Sequence, residues 1–114
     1  MIEVKPYKLE ELVDEKGVNH FRQFLNGVSS SIDKAKIRSR LNRVAQGNIG
    51  RYEDLKDGVF ELKFKGKGPG YRVYFAKKGD QIIILIGGGV KRGQQRDIDL
   101  AKSLWKVYLK SVKE

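Results

Sequence analysis

The chain has 114 residues, a formal net charge of +10, 39% apolar residues and no cysteine. That length fits one domain, residues 1–114, with a modest core of its own, and the absence of cysteine excludes disulfides, thiolate metal sites and a cysteine nucleophile. His20 is the sole histidine, so neither a histidine-built zinc site nor a Ser–His–Asp triad has the residues it needs.

At the N-terminus, residues 1–16 mix charged and apolar side chains and lack the basic start and apolar run of a secretory signal. The longest apolar stretch, Ile82 to Ile86, falls far short of the roughly 20 residues that cross a bilayer. The expectation is a soluble, cytoplasmic protein with no membrane partner, no metal and no small-molecule cofactor.

In chain order, Ile2–Val4 reads as a short strand, followed by an acidic, irregular stretch to Gly17. Asn19 is placed to cap a helix carrying Phe21, Phe24 and Leu25, with Val18 as its staple and Gly27 as its end. Ser30 and Asp33 fit a capping box for a second helix, whose Ile37, Leu41, Val44 and Ala45 recur at helical spacing. Gly47 and Asn48 stop it. The period then becomes two: Phe60, Leu62 and Phe64 alternate with polar residues, Gly66 to Gly70 turns the chain, and Tyr71, Val73 and Phe75 alternate on the return. A β-branched run from Gln81 to Ile86 predicts a strand covered on both faces or at the centre of the sheet, ended by Gly87–Gly89. Ile98, Ala101, Leu104, Trp105, Tyr108, Leu109 and Val112 mark a C-terminal amphipathic helix. The sum is an α+β domain with three or four antiparallel strands, helices on one face and the other face open.

The charge is uneven. Residues 34–51 carry Lys34, Lys36, Arg38, Arg40, Arg43 and Arg51 with no acid, and residues 62–78 carry Lys63, Lys65, Lys67, Arg72, Lys77 and Lys78 with none. Separated basic tracts point to a polyanion or an acidic protein as partner. Strand alternation places Glu61, Lys63, Arg72 and Tyr74 together on the open face, with Lys91 and Arg92 at its rim. Cations neutralise phosphates and rings stack on bases, so this pattern suits single-stranded RNA. Candidate RNA contacts are Tyr74, Lys65, Lys67 and Arg92, with Arg38 and Arg40 of the second helix guiding nucleic acid electrostatically. Metal-free RNA cleavage uses the 2′-hydroxyl as nucleophile, with a lysine base and an arginine on the phosphate. The plainer reading is a cross-strand pair of Glu61 with Lys63 or Arg72, worth a few tenths of a kcal/mol.

At these positions the chain resembles the HigB-like addiction module killer branch of the RelE/ParE toxin superfamily. The resemblance rests on Phe24-Leu25, Ile37-Arg38-Ser39-Arg40-Leu41, Gly47-Asn48-Ile49-Gly50, Gly58-Val59-Phe60-Glu61-Leu62-Lys63, Gly68-Pro69-Gly70-Tyr71-Arg72-Val73-Tyr74-Phe75, and Gly87-Gly88-Gly89-Val90-Lys91 with Gln94 or Gln95 and Asp97-Ile98 following. It covers roughly residues 20–105 and implies a RelE-like fold: an N-terminal strand and helical hairpin on one face of a mostly antiparallel four- to five-stranded sheet, then a C-terminal helix. It also implies a toxin that cleaves mRNA, in most relatives in the ribosomal A site, and a cognate antitoxin that blocks it. Arg72 matches the family arginine at the scissile phosphate, Lys63 the basic residue on the preceding strand, and Lys91 the basic segment after the last strand. These three are the candidate catalytic residues. Relatives of the ParE type poison DNA gyrase without cutting RNA, and a non-toxic RNA-binding module is the third possibility. Three features depart from the family: Tyr108 falls inside the apolar stripe, Val90 replaces the acid of the common Gly-Gly-Asp-Lys pattern, and the acidic segment before Val18 is longer.

Overall fold

Alternating apolar residues in the middle of the chain build the centre of a sheet whose two faces are both covered. The structure, a computed structural model, describes residues 5–64 and 68–112. Its strands are β1 (Lys8–Glu11), β2 (Glu53–Asp54), β3 (Phe60–Lys63), β4 (Tyr71–Lys78) and β5 (Ile82–Val90); its helices are α1 (His20–Gly27), α2 (Ser31–Ala45) and α3 (Gln94–Ser111). The sheet order is β1-β5-β4-β3-β2. Only β1 runs parallel to its neighbour, β5; the β2–β3, β3–β4 and β4–β5 pairs are antiparallel. No described helix is long and apolar enough to cross a membrane.

The helix starts follow the capping chemistry read from the sequence. Asn19 accepts a hydrogen bond from the Arg22 backbone N–H, and the Ser30 hydroxyl oxygen accepts one from Asp33 N–H at 3.2 Å. Phe21, Leu25, Ile37, Leu41 and Val44 from these helices pack against Leu62, Val73, Phe75, Ile83 and Leu85 of the sheet.

Four expectations are corrected. The acidic N-terminal segment is not wholly irregular, because Lys8–Glu11 forms the edge strand β1. Leu9 and Leu12 anchor it on opposite faces, a signal too short and too charged to read as a strand. The expected strand at Ile2–Val4 lies outside the described residues. Gly87–Gly89 does not end β5, which continues to Val90 and pairs Gly88 with Val73 and Gly89 with Arg72. Most consequential is α3, which covers the face expected to be open. Its Ile98, Ala101 and Trp105 join Val59, Tyr74, Ala76, Ile84 and Ile86 in a second core. Leu109 and Val112 stay exposed, against their place in the expected apolar stripe.

The glycines of β5 make this two-sided cover possible. A side chain at Gly88 would fall on the Phe24 ring of α1, and one at Gly89 on the Asp97 carboxylate of α3. Ile86 is an extra residue at a β-bulge, since Tyr74 pairs with Gly87 and Phe75 with Leu85.

Glu11 ties the end of β1 to α1, accepting from Asn19 Nδ2 at 2.9 Å and Arg22 Nε at 3.1 Å. The Arg22 hydrogen bonds hold its carboxyl below the ordinary glutamate range despite partial burial. A depressed folded-state value stabilises the fold above the unfolded value, and that contribution fades as pH falls through the folded one. Glu11→Gln is therefore expected to destabilise by up to about 1 kcal/mol at neutral pH. The difference should vanish well below pH ~4.3, as read by urea midpoints at the two pH values. Gly88→Ala is expected to cost about 1–3 kcal/mol by overpacking against Phe24, measured in the same way.

Candidate nucleic-acid interface at one end of the sheet

Lys63, Arg72 and Lys91 come together where β3 ends, β4 begins and β5 gives way to α3. Lys63 and Arg72 are direct partners in the β3–β4 register, so their side chains share a face. Arg72 is in turn opposite Gly89. Lys91 donates its backbone N–H to the Pro69 carbonyl at 3.1 Å. Gly70, with φ of +73°, lies between them: a Cβ there would meet Lys91 Cβ at 3.2 Å and Arg72 Nη1 at 3.3 Å. Lys91 and Arg92 are exposed, and Lys63 Nζ forms an ion pair with Glu53 Oε1 at 2.6 Å.

Arg72 differs from the other two cations in being buried. Only 11% of its side chain is exposed, and none of Glu61. Arg72 Nε stands 2.7 Å from Glu61 Oε1, off the direction of a good hydrogen bond. Arg72 Nη1 donates to the Gly70 carbonyl at 2.8 Å. Gln94, in the first turn of α3, donates to the same Glu61 oxygen at 2.8 Å. Glu61 thus joins the sheet, the candidate arginine and the covering helix. Tyr74, opposite Glu61 in the register, is fully buried. Its phenol is pushed above its ordinary range by burial first and by the Glu61 and Asp97 carboxylates second, so it stays neutral.

The remaining expected contacts separate. Tyr74 has no free ring face for a base, because α3 packs over it; this corrects the stacking role. Arg40 is committed to structure, donating Nη1 to the Lys63 carbonyl and Nη2 to the Arg51 carbonyl, both at 2.7 Å. Arg38 is exposed on α2. Lys65 and Lys67 lie outside the described residues. His20 pairs with Asp14 through Nε2 and Oδ2 at 2.8 Å and lies beside Gly87 of β5. Among the described residues, no three carboxylate or imidazole groups gather as a metal site would require.

Residues 23–106 match the family model for phage derived protein Gp49-like (DUF891), about three quarters of the chain. The chain belongs to the Gp49-like family. An uncharacterized protein of Haemophilus influenzae is 39% identical over 84 residues, covering 74% of this chain and 84% of that protein. No solved structure matches the chain.

In this Gp49-like protein, sequence reasoning missed Gln94 and the central part played by Glu61. Glu61 was legible only as half of a surface pair. What escaped was its burial, set by α3, which is distant in sequence. A polar residue on the face opposite Leu62, beside an arginine across the hairpin, was the available signal.

Removing one member of a buried pair leaves the other charge uncompensated, so Arg72→Ala is expected to destabilise the Gp49-like fold by about 3–5 kcal/mol. Replacing both partners, Glu61→Leu with Arg72→Met, should recover most of that loss. Lys63→Ala and Lys91→Ala are expected to change stability by no more than about 0.5 kcal/mol. Chemical denaturation checks all four.

Proposed function

We propose that this protein is the toxin of a toxin–antitoxin pair and that it cleaves mRNA through the 2′-hydroxyl without a metal. One observation carries the reading: Lys63 at the end of β3, Arg72 at the start of β4 and Lys91 just past β5 lie at one end of the sheet, Arg72 and Lys91 against Gly70. The Gp49-like family stands in the RelE/HigB-like addiction-module group, which favours a toxin role and a cognate antitoxin as partner.

In this reading the scissile phosphate lies against Gly70, where a side chain would obstruct it. Lys63 and Lys91 reach it from either side. One amine takes the proton of the attacking 2′-hydroxyl. The other, as an ammonium, gives a proton to the departing 5′-oxygen, leaving a 2′,3′-cyclic phosphate and a free 5′-hydroxyl. Arg72, held by Glu61 and the Gly70 carbonyl, offers its remaining guanidinium N–H groups to the phosphorane in a fixed orientation, at no reorganisation cost during reaction. Because Arg72 also supports the fold, loss of activity in Arg72→Ala assigns it no chemical role. The two exposed lysines are the informative positions.

Primer extension on an actively translated mRNA tests the proposal. Wild type is expected to generate new 5′ ends and arrest growth. Lys63→Ala and Lys91→Ala should each lower the cutting rate by about 10²–10⁴-fold, the usual range for a lost proton-transfer group, with unchanged melting. Growth arrest with intact mRNA and inhibited gyrase supercoiling would replace this reading with the non-enzymatic one.

A further inference from the structure

A cleft between α2 and the sheet carries a second concentration of positive charge, separate from the Lys63–Arg72–Lys91 cluster and joined to it through Gly70. Its walls include Lys36, Arg40 and Arg43 of α2, its floor Phe64 and Tyr71, and its far end Asp33. It encloses about 260 Å³, slightly below the roughly 300–1,000 Å³ of pockets for drug-sized ligands. That suits one monomer unit of a polymer better than a folded partner.

The cleft is preorganised. Arg40, spanning the Lys63 and Arg51 carbonyls, holds its guanidinium 5.3 Å over the Phe64 ring. Burial, and Arg43 next to it, push the Arg40 guanidinium below its ordinary range, so positive charge is crowded here, three cations lining the cleft against the one carboxylate of Asp33. Lys36 and Arg43 are exposed and open toward the cleft mouth. At the opposite end the Tyr71 hydroxyl donates to Asp33 Oδ2 at 3.2 Å, fixing the aromatic floor against the first turn of α2. Asp33 repels phosphate at one end, Lys36 follows one turn further along α2 and Arg43 about two more turns on, so positive charge runs from the middle of the cleft to the end away from Asp33.

We propose that this cleft is a nucleotide subsite for single-stranded RNA, with a phosphate between Lys36 and Arg43 and a base against the Tyr71 ring and the Arg40 guanidinium that covers Phe64. It rests on the reading of the protein as RNA-directed and extends it: the strand cut at the sheet end passes Gly70 and is gripped one or two nucleotides away in the α2 cleft. An acidic peptide would satisfy the cations and leave the aromatic floor unused, so RNA is the better fit.

The test is fluorescence anisotropy with a labelled 2′-O-methyl RNA octamer, which has no 2′-hydroxyl to react. Lys36→Ala/Arg43→Ala is expected to weaken binding about tenfold near 0.1 M salt. It should also flatten the slope of log affinity against log salt by about 0.7, the contribution of one phosphate contact on a single strand. The charge-matched Lys8→Ala/Lys106→Ala, away from the cleft, should move both less than half as far. An unchanged slope in the cleft variant, an equal loss in the control, or an equally tight polyglutamate octamer would overturn the proposal. Binding is read without cutting, so the two readings fail separately. Cleft-dependent binding by a protein that never cuts translated mRNA retires the nuclease alone, and cutting with cleft-independent binding retires the cleft alone.

Discussion

A carboxylate with no solvent exposure can persist inside a protein only beside a compensating charge, and here the compensation comes from Arg72. The contacts at this end of the sheet are arranged around that pair. Arg72 reaches Glu61 across one strand of the β3–β4 hairpin and the Gly70 carbonyl along its own strand. Gln94 brings the first turn of α3 onto the same carboxylate. Through Gln94 the pair joins the first turn of the C-terminal helix to the sheet.

The consequence is a division of labour among the cations. Arg72 is fixed and mostly hidden, Lys63 and Lys91 are exposed on either side of it, and Arg40 is spent on two backbone carbonyls. Positive charge near a phosphate is useful in two forms: a rigid field that needs no reorganisation, and mobile amines that can carry a proton. The sheet end holds one fixed guanidinium and two exposed lysines, of which Lys63 is paired with Glu53. On the other side of Gly70 the α2 cleft offers a third form, charge next to aromatic surface.

Glycine is the enabling residue. Gly88 and Gly89 let Phe24 and Asp97 press on the two faces of one strand, so β5 can be covered twice where a side chain would force one helix away. Gly70 keeps the space between Lys91 and Arg72 open. The same absence of a Cβ therefore closes the sheet in one place and lets Lys91 and Arg72 approach the backbone closely in another.

Local signals sufficed for much of this. Asn19 and Ser30 announced helix starts, the alternation around Phe60–Phe64 and Tyr71–Phe75 announced the hairpin, and the register of that hairpin put Lys63 beside Arg72. Each depends on residues close in sequence, and backbone geometry fixes their spacing. The sequence could not say which side of the sheet α3 would take, because that choice depends on Ile98, Ala101 and Trp105 meeting Val59, Tyr74 and Ile86 across long separations. That docking turned an expected open face into a second core, removed Tyr74 from the surface and converted Arg72 from a free ligand into half of a buried pair. Residue chemistry and periodicity were local; burial was decided by tertiary packing, which alone settles how much of each cation water and ligands can reach.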